Sequence, residues 1–235
     1  MTTAAARRTR DRATGGAVVL VLAAVNVAHH VLDPPWWVRA AEGAALLAWA
    51  RLDGLSWSQL GLGRDRLRAG CAYGLGAIAV VAVVYLVGVA LPATRSAFQD
   101  ARYDLPVADG LVRALVVIPL GTVLLEELAF RSVLWGVLSR FLRPWQVLVT
   151  TSVLFGLWHV LPAAGVTSNQ GVSDVVGGGG GAAVVVGTVV FTAIGGLVFG
   201  ELRRRSGSVL APAAAHWATN GLGVLFGLAA WRLDR

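Results

Sequence analysis

Long stretches without charge dominate this chain and limit what it can fold into. A helix needs about 20 consecutive apolar residues to cross the hydrocarbon core of a bilayer. Charge-free stretches of that order run through 13–32, 69–94, 144–173, 175–200 and 206–231. Charged residues interrupt two further apolar stretches, at roughly 36–50 and 111–139. The sequence therefore predicts an all-α fold, a polytopic transmembrane helix bundle of about seven spans.

The composition supports this class. Charged residues make up 14% of the chain, against about 25% in a typical soluble domain, and the mean hydropathy is +0.68. A run of five glycines, Gly177 to Gly181, cannot hold a rigid helix on its own. It predicts a flexible outer loop that enters the sixth span.

The basic residues are all arginine, and their distribution predicts the orientation. They cluster before the first span and after the second, fourth and sixth spans. By the positive-inside rule these segments are cytoplasmic, which predicts a multi-pass protein of the cell membrane with a cytoplasmic amino terminus. The net charge of +7 then reflects topology and anionic lipid headgroups. It does not indicate nucleic-acid binding, because no soluble basic module remains.

Three of the predicted spans carry polar residues at membrane depth. Counted at 1.5 Å per residue, Glu126 and Glu127 lie about 20 Å from the cytoplasmic end of their span, His159 about 21 Å and His216 about 14 Å, with Asn220 one turn deeper. Ionisable groups inside a membrane are costly and usually mark a functional site. One layer of the bilayer is therefore predicted to hold carboxylates, imidazoles and an amide.

The spacing within each span predicts which of these residues share a helix face. Glu127 and Arg131 are four residues apart, so they can pair and reduce the cost of burying both charges. Glu126 is rotated by about 100° from Glu127 and is left to face a different neighbour. The same four-residue spacing places Phe155 beside His159 and His216 beside Asn220. Each pair also has a structural interpretation, as packing or as a hydrogen bond between helices.

Three short segments resemble the motifs of a known family. "EELAFR", "FGLWH" and "HWATN" resemble E-E-x-x-x-R, F-x-x-x-H and H-x-x-x-N of the CAAX protease and bacteriocin-processing (CPBP) family, which is related to the type II CAAX prenyl endopeptidases. "WSQLGL", at 57–62, resembles a segment of bacterial members. The resemblance covers 111–226 well and the first 55 residues loosely. It implies amino-terminal anchor spans at 1–55 and a protease core at 56–235.

The resemblance implies an intramembrane endopeptidase that cleaves a membrane-embedded or lipidated peptide. Glu126 would be the general base that activates water, and His159 would hold and polarise that water. His216 and Asn220 would stabilise the oxyanion. Glu127 and Arg131 would fix the fourth span, and Phe155 would support His159.

Several alternatives stay open at this point. Two imidazoles and a carboxylate are a legitimate zinc set, so Glu126, His159 and His216 could be metal ligands of a metalloprotease; the cofactor is none or zinc. The non-enzymatic alternative is a proton- or ion-coupled transporter or a bacteriocin self-immunity protein, since the same polar layer suits a proton path. Other intramembrane proteases are excluded, because H-E-x-x-H, G-x-G-D and G-x-S-G are absent from the sequence.

Overall fold

The computed structural model describes residues 3–167 and 180–234. Within these residues the regular elements are helices, and there is no strand. Five helices there are long and apolar enough to cross a membrane: Ala5–Leu32, Arg64–Ala90, Val107–Leu138, Pro144–Gly165 and Gly180–Ser206. The predicted fold class, a polytopic all-α bundle, is therefore confirmed. Most of the glycine loop predicted at 177–181 lies outside the described residues.

The helices are numbered here in chain order. They are α1 (Thr3–Leu32), α2 (Trp36–Leu52), α3 (Leu67–Ala90), α4 (Pro92–Arg95), α5 (Val107–Leu138), α6 (Pro144–Trp158), α7 (Val160–Thr167), α8 (Gly180–Ser206), α9 (Leu210–Trp217) and α10 (Gly223–Leu233). Short 3-10 turns occupy Arg64–Arg66, Ser96–Phe98 and Ala101–Tyr103.

Two of the seven predicted spans are helical but differ from a simple membrane-crossing helix. The second predicted span is α2, whose 17 residues extend about 26 Å, slightly less than the roughly 30 Å of a bilayer core. The last predicted span is divided, because a π-helical segment at Ala218–Leu222 separates α9 from α10.

Helix α5 departs from regular α geometry along much of its length. It contains π-helical segments at Arg113–Val117, Pro119–Val123 and Glu127–Leu134. A π-helix bonds each N–H to the carbonyl five residues earlier, and it occurs frequently at functional sites. The third segment begins within the "EELAFR" motif and includes Arg131.

The chain packs as two compact units, each built from separate parts of the sequence. Unit 1 comprises Met1–Pro34 and Ala129–Glu201, and unit 2 comprises Pro35–Leu128 and Leu202–Arg235. The chain passes between the units inside α5 and again inside α8. These units describe packing, and the predicted boundary at residue 55 between anchor spans and protease core stays a prediction.

Small residues set the helix contacts within each unit. In unit 1, a Cβ added at Gly156 of α6 would lie 2.7 Å from the carbonyl oxygen of Val189 in α8. In unit 2, a Cβ at Gly74 of α3 would lie 2.9 Å from the Cβ of Ala214 in α9. Apolar side chains gain little by leaving lipid for one another, so membrane helices associate through close backbone approach at small residues. Gly74 therefore lets α3 support the helix that carries His216.

Candidate active site

Two buried carboxylates and an imidazole meet in unit 2. Glu126 and Glu127 lie on α5 and His216 on α9, and their residues are 7%, 1% and 4% exposed. The Nδ1 atom of His216 lies 2.9 Å from Oε1 of Glu127, which is a hydrogen-bond distance. Its Nε2 atom lies 3.8 Å from Oε2 of Glu126, which is too long for a direct hydrogen bond. His216 is thus oriented by one carboxylate and adjacent to the other.

Neighbouring hydrogen bonds fix the helix on which His216 lies. The indole Nε1 of Trp217 donates to the carbonyl oxygen of Ala114 at 2.9 Å. The Tyr85 hydroxyl donates to the carbonyl oxygen of Thr219 at 3.0 Å. The Thr219 hydroxyl in turn donates to the backbone carbonyl oxygen of His216 at 2.8 Å. These bonds tie the end of α9 and the following π-helical segment to α5 and α3.

Asn220 lies in the π-helical segment that follows α9 and is partly exposed. Its Oδ1 atom accepts a weak hydrogen bond of 3.4 Å from the Thr219 hydroxyl. The Asn220 side chain is thus on the same chain segment as His216, one turn further on, and its amide nitrogen is a hydrogen-bond donor.

A second group of predicted residues lies in unit 1, where His159 occupies a break between α6 and α7. Its backbone leaves the helical region, with φ −90° and ψ 1°. Its Nδ1 atom lies 2.8 Å from the carbonyl oxygen of Phe155. Since a carbonyl oxygen only accepts hydrogen bonds, Nδ1 carries a proton, and in the neutral ring Nε2 is then an acceptor. The Phe155 ring packs edge-on against the imidazole, with 4.9 Å between ring centroids.

Arg131 is fully buried in unit 1 and surrounded by aromatic rings. Its guanidinium carbon lies 4.0 Å from the centroid of Phe155, 5.3 Å from that of Phe199 and 5.9 Å from that of Phe130. A guanidinium over an aromatic face is attracted by the ring quadrupole, most strongly where water is excluded. Phe155 therefore contacts both Arg131 and His159.

The sequence-predicted residues thus form two groups, each within its own unit. Unit 2 brings together Glu126, Glu127 and His216, and Asn220 follows one turn later. Unit 1 brings together the remaining three: Arg131, Phe155 and His159. The pairing of Glu127 with Arg131 stays a prediction.

Two features of these groups were not found from the sequence. One is the hydrogen bond between His216 and Glu127, which joins residues 89 positions apart. The other is the support of α6 by α1, where the Asn26 amide donates to the carbonyl oxygen of Trp158 at 3.0 Å. Asn26 is a lone amide in an apolar span, and such a residue signals a hydrogen bond within the bundle without naming its partner.

Comparison with known proteins gives one family. Residues 108–222 match the family model described as "Type II CAAX prenyl endopeptidase Rce1-like". This range contains the three motif segments, from Glu126 to Asn220. No curated protein and no solved structure matches the chain.

The fold and the match together define the class. The chain is a multi-pass membrane protein of the CAAX-type intramembrane proteases, which are hydrolases. It belongs to the CAAX protease and bacteriocin-processing family.

Proposed function

We propose that this protein is an intramembrane endopeptidase in which Glu126 activates the water that attacks a peptide bond. The observation that carries the proposal is the position of His216, 2.9 Å from Glu127 and 3.8 Å from Glu126. A general base must lie within reach of the reacting groups and be held there by its surroundings. The three side chains are buried, so bulk water does not compete with the substrate for them.

The reaction follows from the chemistry of these groups. Glu126 takes a proton from the water as the water oxygen bonds to the scissile carbonyl carbon. The carbonyl π electrons move to the oxygen, and His216 and Asn220 donate hydrogen bonds to this oxyanion. Such donors typically contribute about 3–4 kcal/mol each. Glu126 then returns the proton to the leaving nitrogen as the C–N bond breaks, which yields a carboxylic acid and an amine.

The role of His216 depends on Glu127. When Nδ1 donates to Glu127, Nε2 can donate to an oxyanion only if the ring carries two protons. Glu127 then supplies the counter-charge for the imidazolium as well as its orientation. We assign Glu127 this positioning role in addition to the pairing with Arg131 predicted from the sequence.

His159 suits the opposite task. With its Nδ1 proton donated to the Phe155 carbonyl, the neutral ring offers only the Nε2 lone pair to a ligand. It can accept a hydrogen bond from the attacking water and so hold and polarise it. This role comes from the F-x-x-x-H motif and from the tautomer, and Phe155 supports it by packing on the ring.

Zinc enters no step of this mechanism. In residues 3–167 and 180–234, no three His, Cys, Asp or Glu side chains are arranged to hold a metal ion. We expect activity to survive dialysis against a strong chelator. About one zinc per chain in the purified protein, with activity lost on chelation and restored by zinc, would contradict the metal-free mechanism.

The family match and the apolar helices support a proposal for the substrate class. We propose a membrane-embedded or lipidated peptide, such as a prenylated peptide cleaved near its carboxyl terminus, that reaches the site from the lipid bilayer. We place the protein in the cell membrane with a cytoplasmic amino terminus. Reporter fusions at Arg64, Asp174 and Arg235 should read inside, outside and outside, and an outside result at Arg64 would contradict this topology.

The decisive experiment replaces Glu126. Glu126→Gln keeps the shape and removes the base, so turnover of a prenylated reporter peptide in detergent should fall by about 10²–10⁴-fold. Folding should be retained, because a neutral amide is cheaper to bury than a carboxylate. Glu42→Gln, a carboxylate of α2, is the matched control and should keep wild-type turnover. Full activity of Glu126→Gln would reject the mechanism, and ion flux in proteoliposomes without peptidase activity would favour a transporter.

A further inference from the structure

The loop between α2 and α3 is closed on itself and contacts the start of the His216 helix. Within the loop, the backbone N–H of Leu62 donates to the carbonyl oxygen of Trp57 at 2.8 Å. The Ser56 N–H donates to the Gln59 side-chain oxygen at 2.8 Å. Leu55 and Leu60 are fully buried and anchor the loop in unit 2. This segment, residues 55–63, is called the α2–α3 loop below.

One glycine of this loop contacts both sides of the connection between α8 and α9. The backbone N–H of Val209, the residue before α9, donates to the carbonyl oxygen of Gly61 at 2.9 Å. On its other side Gly61 faces Arg203, and an added Cβ would lie 2.6 Å from the guanidinium carbon. The φ of Gly61 is +74°, a conformation that residues with a side chain rarely adopt.

Arg203 completes the contact. It is 5% exposed, although the neighbouring Arg204 and Arg205 are exposed. Its Nη2 atom donates to the carbonyl oxygen of Gln59 at 2.9 Å. The guanidinium therefore occupies the space that a side chain at residue 61 would need, and it holds the loop against the end of α8.

We infer that Gly61 and Arg203 are positioning residues for His216. The bond from Val209 to Gly61 lies seven residues before His216, about two turns of α9. Helix α9 has a second close contact at Gly74 of α3. A shift of the Val209–Gly61 bond therefore moves or rotates the whole of α9 about that contact. The α2–α3 loop thereby sets the distance between the His216 ring and the two carboxylates. This inference rests on the catalytic role proposed for His216.

Two glycines of the same turn-rich region provide a matched pair of variants. Gly54 also has a positive φ, +88°, but an added Cβ there meets nothing within 4 Å. Gly54→Ala therefore introduces the backbone strain without the contact, and Gly61→Ala introduces both. The difference between the effects of Gly61→Ala and Gly54→Ala is then the effect of displacing Arg203.

The experiment measures the position of His216 and the activity separately, in the full-length protein in detergent. The imidazole ¹⁵N resonances are recorded after histidine labelling, and those of His216 are assigned by their absence from His216→Gln. We expect Gly61→Ala to shift the His216 resonances. It should also lower kcat by about 10- to 100-fold with KM nearly unchanged, as a small misplacement of a catalytic group does. Gly54→Ala should do neither.

Arg203→Lys tests the same contact without a change in the backbone. It keeps the charge and loses the planar fork, so the His216 resonances should shift in the same direction. Arg204→Lys is the control at an exposed neighbour. In the double variant Gly61→Ala/Arg203→Lys, the glycine substitution should change kcat and the His216 resonances less than it does in the wild-type background. Both substitutions act through one contact, so their effects should not add.

The outcomes separate this inference from the proposed function. Unchanged His216 resonances in both Gly61→Ala and Arg203→Lys would overturn the positioning role, even if activity falls. Equal shifts in Gly54→Ala and Gly61→Ala would also overturn it, since strain alone would then explain them. If the His216 resonances shift in Gly61→Ala and Arg203→Lys but wild type has no peptidase turnover, the proposed function is rejected and the positioning role is supported.

Discussion

The two motif histidines, one in each unit, are held in different ways. His216 in unit 2 bonds through Nδ1 to the Glu127 carboxylate at 2.9 Å. His159 in unit 1 bonds through Nδ1 to the backbone carbonyl of Phe155 at 2.8 Å. A carboxylate can balance a doubly protonated ring, whereas a carbonyl supplies only a dipole. The first arrangement suits a hydrogen-bond donor at Nε2 and the second suits an acceptor.

The side chains around the two imidazole rings also differ, since those beside His216 are acidic and the one beside His159 is aromatic. His216 lies beside two acidic side chains, and α9 is held by hydrogen bonds from Trp217 and Tyr85. His159 lies beside the Phe155 ring, which also contacts the buried Arg131. Charge therefore organises one group and aromatic packing the other. Loss of a carboxylate should change the chemistry at His216, and loss of a ring should mainly change stability near His159.

The largest effect is expected where the carboxylate that orients His216 is neutralised. Glu127→Gln can still accept a hydrogen bond but cannot balance an imidazolium, so kcat should fall by about 10²–10⁴-fold, the range typical of acid–base groups. Turnover of the prenylated reporter peptide gives the value. Glu201→Gln, at the end of unit 1, serves as the control. If Glu127→Gln keeps wild-type kcat, the distinction between the two histidines fails.

Removal of Arg131 should mainly reduce stability. Arg131→Ala leaves the ring cluster of Phe130, Phe155 and Phe199 without its cation and deletes a fully buried side chain. Deleting a large buried side chain typically costs about 2–5 kcal/mol, so the yield of folded protein should fall and its unfolding temperature should drop. Arg131→Lys keeps the charge and should recover part of the loss. A fully stable Arg131→Ala protein would remove the structural role of this group.

Substitution of the phenylalanines should have a smaller effect that separates two functions of one ring. Phe155→Leu and Phe199→Leu each remove one cation–π contact to Arg131, worth up to about 2 kcal/mol in a desolvated site. Only Phe155 also packs on His159. Both variants should unfold at lower temperature, and Phe155→Leu alone should also lower kcat. Equal kcat values for the two variants would show that the ring is not needed to hold His159.

The smallest effect is expected at a partly exposed carboxylate, Asp100, which is far from either histidine in the sequence. The hydrogen bond from the Arg102 side chain lowers the pKa of Asp100 below its usual value. A lowered folded-state pKa means that the contribution to stability is complete above the usual aspartate pKa of about 3.9 and is lost as the pH falls through the lower folded value.

Unfolding measurements from pH 7 to pH 2 on wild type and Asp100→Asn test this point. The difference in unfolding free energy should be below about 1 kcal/mol, as for exposed ion pairs. It should stay constant above about pH 5 and disappear at the acid end. A difference that grows as the pH falls would have the wrong sign and would contradict the assignment. This acid-sensitive pair then serves as the reference against which the buried carboxylates are compared.

Sequence patterns predicted most of what lies within a single helix. The apolar runs predicted the helical bundle, and the four-residue spacing placed Phe155 beside His159, where the rings are in contact. The number of residues from the cytoplasmic end of each span also grouped the glutamates with His216. It could not show which of the two carboxylates would bond to Nδ1 of His216. That bond joins residues on α5 and α9, and spacing along one helix carries no information about the rotation of another.

The irregular backbone was the other feature that the sequence did not predict. The i, i+4 argument for Glu127 and Arg131 assumed an α-helix, but Glu127–Leu134 is π-helical. The break at His159 was also missed, although Pro162 follows three residues later and has no N–H to donate to the carbonyl of Trp158. The carbonyl of Phe155 is satisfied there by the side chain of His159 itself. Both irregularities fall on motif residues, where function overrides the regular pattern.

The π-helical stretch of α5 has a consequence for deletion scanning. Each π turn accommodates one residue more than the α ladder, so removal of a single residue between Glu127 and Leu134 would allow the segment to return to α geometry. Every side chain beyond the deletion would then keep roughly its original direction, because a π segment accommodates its extra residue without changing the phase of the turns on either side. A one-residue deletion in a regular α-helix such as α3 has the opposite effect, since every side chain beyond it turns by about 100° relative to those before it. The helix of α5 should therefore tolerate a deletion between Glu127 and Leu134 better than α3 tolerates one at its centre.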